Sequence, residues 1–176
     1  MKKVVFLVAL VASAQSVFSQ SSLQSPFDET FYKLGLGNRG RGSFAFGVKS
    51  GNIGFQFGVF NNLDIASDQL SVFPPTLDAK FFGNYRTEPG FGVDLLHFFG
   101  EKDQSLYVGL GLYNEKISEV WRSPSTDELF DIGGRNQVSA AYSIGFTGTV
   151  NERSQFGFGY HTMLGWNVTY SIKHRK

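Results

Sequence analysis

The chain has 176 residues, with 16 Lys and Arg against 15 Asp and Glu, for a formal net charge of +1. That balance excludes the broad basic field that nucleic-acid binding needs. The lack of cysteine excludes thiol catalysis, cysteine metal sites and lipid attachment through cysteine. Glycine (21) and phenylalanine (19) are abundant and methionine (2) is scarce, a composition that points to an all-β protein.

Lys2 and Lys3, the apolar run Val4 to Val11 and the small residues Ala12-Ser13-Ala14 predict a signal peptide over 1–14, with a second cut site after Ser19. The apolar run is too short to cross a bilayer as a helix. Residues 15–29 hold many Ser and Gln and no period, and are expected to be a flexible lead-in to a single β-barrel domain over 30–173.

From Thr30 onward apolar residues alternate with small or polar ones, the period of a strand with two different faces. Tyr32, Leu34 and Leu36 share a face, and "NRGRG" (38–42) turns the chain. Phe44, Phe46 and Val48 follow, then a tight turn, then Ile53, Phe55, Phe57 and Val59. Residues 61–76 break the alternation and include Pro74-Pro75, which predicts a loop. The pattern resumes over 77–86, 90–99 and 105–120, with turns at "TEPG" and "GEKDQ". A second loop is expected over 122–135, then strands over 136–150 and 155–172. The last stretch, "QFGFGYHTMLGWNVTYSIK", alternates almost without interruption from Phe156 to Ile172.

These segments predict eight strands (30–37, 43–49, 52–60, 77–86, 90–99, 105–120, 136–150 and 155–172). Short connections imply antiparallel neighbours, and eight strands suffice to close a small up-and-down barrel without exposed edges. Eight strands with both ends on one side put the sixth connection, 122–135, on the side where barrel turns are short. Ten strands are the alternative: Leu70 to Phe73 becomes a short strand and the terminal stretch divides near Met163 to Gly165.

The character of the two faces indicates the solvent. A soluble barrel buries its apolar face and covers its outside with charge. Here the non-apolar face is mainly Gly, Ser, Thr, Asn and Gln, which suits a narrow lumen, whereas the Phe, Leu, Val and Ile face suits lipid. The charges on the small face, Lys33, Asp78, Lys80, Arg86, Asp94 and Glu115, are therefore expected to point into the lumen and to pair there, Lys80 with Asp94 for example.

With its leader, strand rhythm and terminal strand, the chain over 30–172 resembles the small outer-membrane β-barrel family that includes OmpA-like and OmpX-like barrels. "GWNVTY" is similar to the family's assembly signal, a glycine followed at fixed spacing by two alternating hydrophobic residues, here Gly165, Val168 and Tyr170. The resemblance implies a transmembrane barrel in the outer membrane, recognised by the barrel-assembly machinery.

Other motifs carry less. Gly35-Leu36-Gly37-Asn38-Arg39-Gly40 matches G-x-G-x-x-G, but an alternating strand follows it where a dinucleotide site needs a helix. His97 falls on the apolar face, His161 on the small face and His174 in the basic tail, with no metal-binding spacing. Barrel enzymes that modify lipid use a Ser/His pair with a carboxylate. His161 has Ser143, Thr147 and Thr149 nearby in the strand pattern but no such local motif. No catalytic residue, cofactor or metal is therefore assigned. The expected function is a monomeric outer-membrane barrel with a packed polar lumen, in contact with membrane lipid, and with partner contact through loops 61–76 and 122–135. The alternatives are a narrow passive channel, a soluble lipocalin-like carrier and, last, a lipid-modifying enzyme.

Overall fold

The computed structural model describes residues 26–36, 42–61, 64–65, 69–71, 78–101 and 103–174. The expected signal peptide, most of the lead-in, the turn at 38–41 and much of loop 61–76 lie outside them. Ten strands form one sheet: β1 (Glu29–Leu36), β2 (Gly42–Ser50), β3 (Ile53–Phe60), β4 (Leu70–Ser71), β5 (Lys80–Arg86), β6 (Gly90–Glu101), β7 (Gln104–Arg122), β8 (Leu129–Asn151), β9 (Ser154–His161) and β10 (Gly165–Lys173).

Eight of them close a ring in the order β8, β9, β10, β1, β2, β3, β6, β7 and back to β8, every neighbour antiparallel. Closure is made by β1 against β10, from Glu29↔Lys173 to Leu36↔Trp166. β1 also pairs antiparallel with β2 up to Leu36↔Gly42, so a strand and not a helix follows the glycine-rich motif, most of which lies outside the described residues.

The eight wall strands are not the eight expected. Residues 80–86 form β5, which pairs with the upper part of β7, not with a wall strand on either side of it. The missing wall strand comes from the terminal stretch, which turns at Thr162 to Leu164 and becomes β9 and β10. Both local features of the ten-strand alternative occur, a short strand at Leu70 and the division near Met163, yet the wall has eight strands. The expected loop over 122–135 is also corrected. β7 and β8 run to Arg122 and from Leu129, joined by six residues that include Asp127 at φ 63°.

This arrangement removes the topological difficulty. β2, β6 and β8 end at the same rim as both ends of the described chain, the turn rim, where the turns at 51–52 and 152–153 are tight. β1, β3, β7 and β9 end at the opposite, loop rim. There β7 and β8 overrun the wall: β6 pairs with β7 only up to Asn114, while the β7–β8 ladder continues to Arg122↔Leu129. β5 extends this overhang on the β7 side, and β4 adds two residues on the β8 side.

Alternation sorts the side chains. Leu34, Phe46, Phe55, Phe57, Val93, Leu95, Leu110, Leu112, Ile144, Phe146, Phe158 and Val168 point outward and are exposed. Rings enter the lumen where a neighbouring strand offers a glycine. Tyr107 lies against Gly145 and Gly159, Tyr113 against Gly58 and Gly92, Phe31 against Gly47, and Phe60 against Gly90. The lumen is therefore not simply polar, as expected from the glycine and hydroxyl content of that face. Phe31, Leu96, Phe98 and Tyr107 form one apolar cluster; Ala45, Phe60, Tyr113, Ala141 and Leu164 form another.

A Cβ on Gly145 would stand 2.5 Å from Cζ of Tyr107. Gly145→Ala is expected to lower stability by about 1–3 kcal/mol, the cost of overpacking, in urea unfolding from lipid vesicles. In a Tyr107→Leu background most of that loss should vanish. An equal loss in both backgrounds would mean that the ring is not the reason for the glycine.

Candidate functional site: the lumen and the overhang

The middle of the lumen is organised by Asp94, which β6 directs inward and which is 2% exposed. Its Oδ2 accepts from Nε2 of Gln56, its cross-strand neighbour, at 2.8 Å and from the Tyr113 hydroxyl at 2.6 Å. Its Oδ1 meets Nε2 of His161 at 2.9 Å. The other ring nitrogen of His161, Nδ1, accepts from the backbone N–H groups of Met163 at 3.0 Å and Leu164 at 3.1 Å. An amide can only donate, so Nδ1 carries the lone pair and Nε2 carries the proton. His161 is thus a neutral imidazole that donates to an acceptor-only Asp94.

The same bonds explain the turn that sequence reasoning left open. His161 holds the amides of 163 and 164, and Gly165, at φ 78°, returns the chain as β10. Leu164 is thereby folded over the lumen, 1% exposed, with its carbonyl bonded by the Ser43 hydroxyl at 2.6 Å.

Above this layer, Glu115 is inside the loop-rim mouth. Its Oε2 pairs with Nε of Arg86 from β5, and its Oε1 accepts from the Ser139 hydroxyl at 2.7 Å. Below it, Lys33 is buried, with Nζ 4.0 Å from the Tyr107 ring centroid and 5.4 Å from that of Phe31. At the turn rim a cavity of about 470 Å³ is lined by residues that include Glu29, Lys49, Phe98, Ser105, Gln155 and Lys173. Lys49 pairs there with Glu29 at 3.5 Å.

Of the six charges assigned to the lumen, Lys33, Asp94 and Glu115 are inside, and Arg86 reaches in from the rim. Asp78 and Lys80 are not. Asp78 accepts from the Ser123 hydroxyl and the Ser125 amide, each at 3.1 Å, and Lys80 is exposed beside Arg122. Both belong to the overhang because β5 does, so the expected Lys80–Asp94 pair does not form. Gln56, Tyr107, Tyr113 and Leu164 were not singled out. The two tyrosines had a signal: they are the bulky residues on the otherwise glycine-rich face of β7.

The geometry also bears on hydrolytic chemistry. A general base needs a free nitrogen facing a nucleophile. Both nitrogens of His161 are engaged, and Ser143, its cross-strand neighbour, makes no hydrogen bond to it.

Replacing Asp94 orphans three buried donors. Asp94→Leu is expected to cost about 3–5 kcal/mol in urea unfolding. Asp94→Asn retains an acceptor oxygen and should cost less. Equal losses would show that side-chain shape, not hydrogen bonding, sets the cost.

No family model and no curated protein matches the chain. Among solved structures it is similar to Neisserial surface protein A (NspA), at 12% identity and TM-score 0.43 over 82% of this chain and 93% of that one. It is also similar to Ail, the attachment invasion locus protein of Yersinia pestis, at 14% identity and TM-score 0.42 over 82% and 91%. The same protein in complex with the heparin analogue sucrose octasulfate gives 14%, 0.42, 82% and 92%. The assignment to a closed antiparallel eight-stranded barrel rests on this chain's own strand pairing.

Proposed function

We propose that the chain is an exported, monomeric barrel of an outer membrane that holds a surface-interaction sheet above the lipid. The observation that carries this reading is the apolar belt. Every wall strand contributes exposed Leu, Val, Ile, Phe or Trp, so the belt has no polar break around the ring. Water-soluble monomers rarely expose apolar patches beyond a few hundred Å². Tyr32, Tyr170, Tyr160 and Trp166 also stand among the outward-facing side chains, as interfacial girdles require. A lipocalin-like carrier needs the opposite orientation, with apolar side chains lining the lumen and charge outside. A through-channel would have to pass Leu164, Tyr113 and the Asp94–His161 layer.

The surface role rests on the overhang. β4 covers β8 only at Leu129 and Phe130, and β9 begins to pair at Ser143. Between them, over 131–141, one edge of β8 has no strand partner among the described residues. At roughly 3.3 Å per residue that edge is long enough to receive an extended segment of another protein. Gly165, Val168 and Tyr170 serve in this reading as the signal for the barrel-assembly machinery, with Val168 and Tyr170 outward where a partner reaches them.

Fractionation tests the localisation: the mature chain should sediment with outer membranes and migrate heat-modifiably on gels. Recovery in the soluble periplasm would overturn the reading. A substitution tests the belt directly. Leu110 is 64% exposed, so Leu110→Arg should be harmless in a soluble protein. In lipid it should cost about 2–4 kcal/mol near the midplane, measured by urea unfolding from vesicles.

A further inference from the structure

The free edge of β8 carries a charge pattern. Every residue from Ile132 to Val138 is exposed, so neither face of this stretch is covered. The ladder with β7 is regular from Gly134 to Ala141. Just above it the register shifts, and the Gly133 amide donates to Oδ1 of Asp131 at 2.9 Å. Residues directly opposite one another in a ladder point to the same side. Gly133 stands opposite Glu119, Arg135 opposite Ile117 and Gln137 opposite Glu115. Glu119 and Arg135 therefore share the face of the lumen mouth. Asn136, opposite Lys116, and Val138, opposite Asn114, lie on the other face.

Glu115 is already paired with Arg86. Arg135 and Glu119 are different. Both are exposed, and neither has an opposite charge within ion-pair distance among the described residues. Gly133 puts no side chain between Glu119 and the edge. On the other face Val138 is 65% exposed.

We infer that the occupant of this edge is an extended segment with three features: a carboxylate beside Arg135, a Lys or Arg beside Gly133 that reaches Glu119, and an aliphatic side chain beside Val138. In either strand direction the two charges are two residues apart on one face. The aliphatic residue lies three beyond the carboxylate, on the opposite face. Opposite charges across neighbouring strands stabilise pairing and like charges oppose it. A wholly acidic or wholly basic segment would satisfy one of the two charges and repel the other. From Gly134 to Ala141 the edge spans about 26 Å at the rise of a strand.

This pattern rests on the surface role proposed above, and the test separates the two. The chain is placed in lipid nanodiscs, with folding read from heat-modifiable migration. Labelled ten-residue peptides are titrated against it. One carries Lys, Glu and Val at these spacings in a threonine background, its twin has Lys and Glu exchanged, and both are also made with reversed sequence. The patterned peptide, in one of its two directions, is expected to bind about fivefold more tightly than its twin and to slow exchange of the edge amides of 134–141. Arg135→Glu combined with Glu119→Arg should reverse the preference and leave migration unchanged. Equal binding of the twins, or a preference that the double reversal leaves as it was, would overturn the inference while keeping the edge as a docking site. Binding of no peptide, with edge amides exchanging as before, would overturn the docking edge itself. Slow exchange of those amides before any peptide is added would assign the edge to this chain and overturn both. Dependence on protein concentration would then identify a second copy as the occupant.

Discussion

Closure of β1 on β10 is the constraint on which everything else depends. A sheet whose first and last strands pair leaves no open edge in its wall, so every backbone donor and acceptor there finds a partner within the ladder. That condition frees the outer surface from hydrogen-bonding duty and lets it be uniformly apolar. It also fixes the interior. Eight strands enclose a space just wide enough for side chains, so each inward position must be chosen against those opposite it.

The choice made here is an exchange of rings for glycines. Tyr107, Tyr113, Phe31 and Phe60 enter the lumen only because the strands facing them present Gly145, Gly159, Gly58, Gly92, Gly47 and Gly90. The polar groups then occupy what the rings leave. Asp94 gathers three donors, one of them the imidazole that also holds the β9–β10 turn. The interior core and the closing turn are thus one hydrogen-bonded unit, and the rim above it is locked by Glu115 with Arg86.

Much of this was legible in the residues, and the failures have physical causes. The period-2 pattern located most of the strand sequence and the outward face of the wall, where Phe, Leu and Val alternate with Gly, Ser and Thr, but not the rings Phe31, Phe60 and Phe98 that point inward. It could not show which strand pairs with which. Residues 80–86 keep enough alternation to pass for a wall strand, although Phe81 and Phe82 interrupt it and the register shifts there, yet they belong to the overhang because β7 is long enough to hold them. The split in the terminal stretch was hidden by parity. A three-residue turn pairs His161 with Gly165, so odd positions face inward before and after it and the alternation continues across the turn. The two-residue turn after Ser50 instead reverses parity and announces itself. The Asp94–His161 contact spans 67 residues of sequence; nothing local encodes it.

The overhang has a consequence for the way such a molecule sits in a bilayer. One rim carries tight turns and both ends of the described chain; the other carries a sheet that stands clear of the wall, with ion pairs such as Lys116 with Glu88 and Arg122 with Asp127. Turning the barrel over would drag those charges through hydrocarbon. Orientation is therefore decided once, when the barrel is built, and is kept for the lifetime of the protein by the weight of charge at one end.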